Sequence, residues 1–141
     1  MAVLDTDHLS ILEGTVGPEA LRLRSRLAKE QPDDVMATII SFEEQTRGWM
    51  SLLSKARTVS DEVGAYRRLR RHLDNYRRVP VLDFDEQAAV KYQELRKSRL
   101  RLGAMDLKIA AIVLVRSAVL LSRNLRDFRR VPHLRVEDWT A

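Results

Sequence analysis

The sequence predicts an α/β fold: a parallel sheet covered by helices on both faces. Short apolar runs at Ala2–Leu4, Val35–Thr38, Val79–Leu82 and Val119–Ser122 alternate with segments of helical periodicity, and such alternation argues for a parallel sheet. Leu107–Val115 is apolar nearly all round, as a central buried helix would be. No internal repeat, low-complexity tract or Gly/Ser linker divides the chain, so residues 1–141 are expected to form one domain.

The elements follow in order. Ala2–Leu4 is the first strand, and Asp5 stands where it gives way to a helix. Val35–Thr38 is the second strand, followed by a helix with Ser41 as its cap and Glu44 early in it. Val59, Val63, Tyr66, Leu69, Leu73 and Tyr76 recur at spacings of three and four, an amphipathic stripe. Ser60 is the cap expected there, with Asp61 and Glu62 in the first turn and Arg77 and Arg78 at the end, both complementing the helix dipole. Val79–Leu82 is the third strand. Asp83 with Glu86 resembles a capping box for a helix that buries Ala88, Tyr92 and Leu95. Gly103 supplies a turn before the apolar helix, Val119–Ser122 is the fourth strand, and Leu134–Val136 is a short edge strand.

At 141 residues, 45% apolar and 32% charged, the chain is long enough to bury a core and reads as globular. It has no cysteine, which excludes disulfides, zinc–thiolate sites and thiol nucleophiles and fits a reducing cytoplasm. No basic region precedes the first apolar run, so no signal peptide is expected. Lys108 and Arg116 interrupt the longest apolar stretch, which is too short to span a bilayer. The net charge is +5, with arginine favoured over lysine. Arginine matches phosphate bidentately, although solvated faces and ion pairs account for arginines equally well. There is no Gly-rich phosphate loop and no GxSxG elbow. His8, His72 and His133 have no ligand spacing and are expected at the surface or its boundary.

Four acids remain. Asp5, Glu44, Asp106 and Asp127 lie far apart, yet each sits where an apolar run meets a turn or helix start. In open parallel sheets, ligands bind beyond the carboxyl ends of the strands. Carboxylates gathered there would suit Mg²⁺ or Mn²⁺, hard cations that prefer oxygen, and so a metal-dependent phosphodiesterase. Each acid also has a plain capping or first-turn reading. Asp7 can act as a cap or as a supporting acid, and Asn124 as a turn residue. Glu43 and Glu44 point about 100° apart on a helix, so only one of them can face a shared site.

Five segments carry a resemblance. They are Val3-Leu-Asp5-Thr-Asp7-His-Leu-Ser10, Ile39-Ile-Ser-Phe-Glu-Glu44-Gln-Thr-Arg-Gly48 and Gly103-Ala-Met-Asp106-Leu-Lys-Ile-Ala-Ala111, followed by Leu121-Ser-Arg-Asn-Leu-Arg-Asp127-Phe-Arg-Arg-Val-Pro132 and Leu134-Arg-Val-Glu-Asp-Trp139. In this order and content the chain resembles PIN-domain proteins, specifically the VapC toxins of bacterial toxin–antitoxin modules. The resemblance implies a three-layer α/β/α sandwich with a central, mostly parallel four- to five-stranded sheet. It implies that Asp5, Glu44 and Asp106 are the central metal-binding acids. Glu44 is preferred to Glu43 because Gly48 follows it at the family's spacing. Asp127 matches the more variable fourth acid, and Asn124 the polar residue beside it. Asp7 is a departure, since the family usually has Asn there, and Asn can donate a hydrogen bond where an ionised Asp cannot.

The implied activity is a Mg²⁺- or Mn²⁺-dependent endoribonuclease, cleaving RNA by metal-activated water. The implied partners are a second copy of the chain and a VapB-like antitoxin whose C-terminal segment covers the acidic site. The implied setting is cytoplasmic, without a membrane. Two other readings stand beside it: a catalytically inactive PIN-like module that binds RNA or protein, and a basic protein that meets DNA only through its partner.

Overall fold

A computed structural model of the chain describes residues 1–14 and 16–141. β1 (Ala2–Leu4) lies at the centre of a five-stranded sheet. β2 (Val35–Thr38) and β4 (Val119–Leu121) flank it, and β3 (Val81–Leu82) and β5 (Arg135–Glu137) form the edges. Every pairing is parallel, with Val3 beside Met36 on one side and Leu120 on the other. β3 begins two residues later than the apolar run suggests. Pro80 lacks an N–H for the ladder, although its carbonyl accepts from Ala37 N at 2.9 Å.

Parallel strands need crossovers. α1 (Thr6–Gly14) and α2 (Pro18–Leu27) join β1 to β2, and α3 (Ile39–Ser54) and α4 (Val59–Tyr76) join β2 to β3. α5 (Glu86–Lys97) and α6 (Ala104–Val115) lead to β4, and a short α7 (Leu125–Phe128) precedes β5. Successive strand residues face opposite ways, and the core divides accordingly. Val3, Leu82 and Leu120 pack with Ala88 and Leu95 of α5 and with Leu107 and Ile109–Val113 of α6. Ala2, Leu4, Ala37 and Leu121 pack instead with Leu9, Leu23 and Trp139. The result is the three-layer sandwich, with the apolar length of α6, Leu107 and Ile109–Val113, buried as expected.

Three caps differ from expectation. Thr38 caps α3, accepting from Ser41 N at 3.1 Å, so Ser41 is inside the helix. Thr58 caps α4, accepting from Asp61 N at 3.0 Å, and Ser60 lies within the first turn. Asp85, not Asp83, caps α5 through Ala88 N at 2.9 Å. Each time, a neighbouring Ser, Thr or Asp with the same capping chemistry holds the position three residues before the donor.

The α4 stripe is only partly a core face. Ala65 and His72 are buried, whereas Val59, Val63, Tyr66 and Leu73 are exposed. His72 is therefore interior, contrary to expectation. It stacks on Phe42 with centroids 5.1 Å apart and hydrogen-bonds Thr46 Oγ1 at 2.8 Å. Among the described residues, no helix is long and apolar enough to cross a membrane.

Candidate functional site

In this strand order the chain winds outward in both directions from β1. The crevice beyond the carboxyl ends of β1 and β4 is thus the switch point where open α/β sheets take ligands. Asp5 leaves β1 there. Its N–H donates to Leu121 O at 2.9 Å, which carries the β1–β4 pairing one residue further. Its side chain is 6% exposed. Thr6 N donates to Oδ1 at 2.8 Å and Ser122 Oγ to Oδ2 at 2.7 Å. Asp5 thus meets the first free N–H of α1 through one carboxylate oxygen and Ser122 through the other. Burial pushes its carboxyl up to about 7, Asp7 and more weakly Asp106 add to this, and the Ser122 and Thr6 hydrogen bonds oppose it.

Glu44 lies in the second turn of α3, since that helix starts at Ile39. The favourable dipole of a first turn does not explain it. Burial and then the charge of Asp106 raise its carboxyl above the usual range, the Thr6 hydroxyl opposes this, and Glu43 adds a little. Its Oε1 is buried without a hydrogen-bond partner. Glu43 is directed elsewhere, in an ion pair with Arg47 at 2.6 Å.

Asp106 is in the first turn of α6, behind Gly103 as N-cap. Its carboxyl is raised by burial, then by the charges of Asp127 and Asp7. Asp127, in α7, accepts from Asn124 Nδ2 at 3.1 Å and pairs with Arg130 at 3.6 Å. Asp5, Glu44, Asp127 and Asp7 each lie within electrostatic reach of Asp106. Among the described residues, neither Asp5, Glu44 nor Asp106 has an ion-pair partner. No three His, Cys, Asp or Glu side chains among them are placed to enclose a metal ion as they stand.

Two polar residues of the crevice escaped the sequence reading. Ser122 reaches both Asp5 and Asp7, at 2.7 and 3.3 Å, and its Oγ accepts from Asn124 N at 3.0 Å. The signal for it is a serine closing an apolar strand at the carboxyl edge. His8 is fully buried and bonds Asp7 at 2.8 Å, not at the surface as expected. Its position beside Leu9 in a helix that covers the sheet is the signal for that burial.

A profile of the PIN domain matches residues 2–134. This chain belongs to the PIN-domain family. Among curated relatives, the PIN domain is 39% identical over 66 residues to the tRNA(fMet)-specific endonuclease VapC of Salmonella typhimurium. That match covers 44% of this chain and 50% of the relative, about half its length. Ribonuclease VapC1 of Haemophilus influenzae is 29% identical over 121 residues, covering 81% of this chain and 90% of that protein. Among solved structures, VapBC-1 from nontypeable Haemophilus influenzae superposes on the PIN domain with a TM-score of 0.77. The superposition covers 99% of this chain and 98% of that one at 24% identity, a likeness of fold.

Proposed function

We propose that this PIN domain is a divalent-cation-dependent endoribonuclease and the toxin of a toxin–antitoxin pair. The observation that carries the reading is the set Asp5, Glu44 and Asp106. These carboxyls come from three separate segments, Asp5 and Glu44 each feel the charge of Asp106, their acidity is weakened, and among the described residues none has an ion-pair partner. Relatives named as ribonucleases support the choice of RNA.

The donor set fits a hard cation, because every group is a carboxylate oxygen. The unpartnered Glu44 Oε1 is the clearest vacant donor. Among the described residues the acids do not close a cage; Mg²⁺, which keeps several of its waters, and Mn²⁺ would each accept such oxygens. Asp5, Glu44 and Asp106 would hold it, with Asp127 and Asn124 at the rim and Asp7 in support. Such a cation, when bound, activates water and neutralises charge on the cleaved phosphate. The protein's own part is to gather the carboxylates, keep them out of bulk water and supply a proton acceptor. One of these carboxylates would take that last role, accepting the proton of the attacking water.

The arginines from Arg67 to Arg78 on and just beyond α4 would meet RNA phosphates. We assign the exposed apolar stripe of α4 to a VapB-like antitoxin, whose C-terminal segment would lie over the acids. The toxin itself would be a homodimer in the cytoplasm.

The test is cleavage of a mixed RNA pool by antitoxin-free protein with Mg²⁺, Mn²⁺ or EDTA, beside Asp5→Asn. Divalent-dependent cleavage that the substitution abolishes is expected. A second reading, a binding module without catalysis, draws on the open spacing of the acids. RNA retention without cleavage, and without any stabilisation by divalent cation, would establish it instead.

A further inference from the structure

We infer that His8 is a positioning residue: a neutral imidazole, locked in its Nδ1–H form by the backbone amide of Trp139, that fixes the Asp7 carboxylate beside the acidic crevice. The ring is fully buried, while Asp7 is one-third exposed. Trp139 N donates to His8 Nε2 at 3.2 Å. A backbone amide can only donate, so Nε2 presents its lone pair and the ring proton resides on Nδ1. That proton points at Asp7 Oδ1, 2.8 Å away.

The other oxygen of Asp7 is held from the opposite side. Arg123 N donates to Oδ2 at 3.0 Å. Ser122 Oγ is 3.3 Å from that oxygen, but it has one proton and lies closer to Asp5, at 2.7 Å. His8 is therefore the main side-chain donor to Asp7. Where the family usually has Asn, this chain pairs an acid with an adjacent buried donor that orients it. The C-terminal segment takes part, because Trp139 packs in the core and its amide sets the tautomer. Asp138 Oδ1, 3.7 Å from Nε2, is already occupied by Thr140 N and Oγ1 at 2.8 and 2.6 Å.

What Asp7 is positioned for rests on the proposed function; the bond itself does not, and the two are measured separately. Imidazole nitrogen spectra of uniformly labelled protein, with His8→Asn to assign the resonance, should show a protonated Nδ1 and an unprotonated Nε2. Asp7→Ala should move the His8 Nδ1–H resonance strongly. A proton on Nε2, or a resonance that Asp7→Ala leaves in place, overturns the inference whether or not the protein is a nuclease.

The second readout is Mn²⁺ affinity by calorimetry. His8→Leu should weaken it by up to roughly tenfold, through loss of the group that orients a supporting acid beside the cation-holding carboxylates. His8→Asn, whose amide can donate from near the Nδ1 position, should restore most of the loss. In an Asp7→Ala background, His8→Leu should cost nothing further. Equal losses with and without Asp7, or no loss at all, would mean that His8 only fills space. Wild-type protein that takes up no Mn²⁺ would overturn the proposed function and the cation role of Asp7 together, while the spectra still decide the His8–Asp7 bond.

Discussion

Asp5 shows what the acidic crevice costs the folded chain. Its carboxyl moves from the ordinary 3.8 to about 7, chiefly because it is buried. Between those values the folded chain keeps a proton that the unfolded chain has released. The native state therefore binds more protons, and stability falls as pH rises across this window. The shift corresponds to an effect on the order of a few kcal/mol. Cation-free protein should show a falling melting temperature from about pH 5 to pH 7.5, and Asp5→Asn should flatten that slope. An unchanged slope in the variant would place the effect elsewhere. Asp106, raised by burial and by Asp127 and Asp7, belongs to the same set. Asp106→Asn should stabilise the cation-free protein and remove the melting-temperature gain that Mg²⁺ or Mn²⁺ gives the wild type; an intact gain would sink its assignment as a ligand. The acids were legible in sequence because each lies where an apolar run meets a turn or helix start: Asp5 ends one, Glu44 and Asp127 follow one, and Asp106 opens one. Ser122 and His8 were not, because their roles arise from contacts across the fold, such as Ser122 with Asp5 and His8 with Trp139.

Helices were legible as elements more readily than their ends. Thr58 and Ser60 offer the same capping chemistry two residues apart, and periodicity does not choose between them. The structure does, through the bond from Asp61 N to Thr58 Oγ1 at 3.0 Å. Thr58→Ala should therefore cost about 1 kcal/mol in urea denaturation, while Ser60→Ala should change little; the reverse order would return the cap to Ser60. The amphipathic stripe of α4 was equally visible but incompletely interpreted. Spacing predicts that Val59, Val63, Tyr66 and Leu73 share a face, not that the face meets the rest of this chain. α3 packs along one side of α4, burying Ala65 and His72; of the stripe itself Leu69 and Tyr76 are half-buried, while Val59, Val63, Tyr66 and Leu73 stay in solvent. An apolar face left open is a property of the element that only the assembled fold reveals.

At the scale of the whole molecule, the alternation of runs foretold parallel strands, and their positions held to within two residues. The order β3-β2-β1-β4-β5 is set by which crossover turns which way, and no single segment records it. That order is what gathers the acids at one end of the sheet. It sets burial-weakened acids within a protein of net charge +5 whose helix α4 carries a run of arginines. The two features suit a substrate that is a polyanion, provided the arginines hold the strand while the acids act on it. RNA affinity should then be measured on Asp106→Asn, whose turnover is expected to be lost, by fluorescence anisotropy across a range of salt. Log affinity should fall linearly with log salt, with a slope of about −0.7 for each phosphate contacted. Replacing Arg67 and Arg71 of α4 by Gln should make the slope shallower and leave the fold's melting temperature nearly unchanged. A slope that those substitutions do not alter would move the RNA path off α4. A salt-independent affinity would mean that the positive charge serves a partner other than the phosphate backbone.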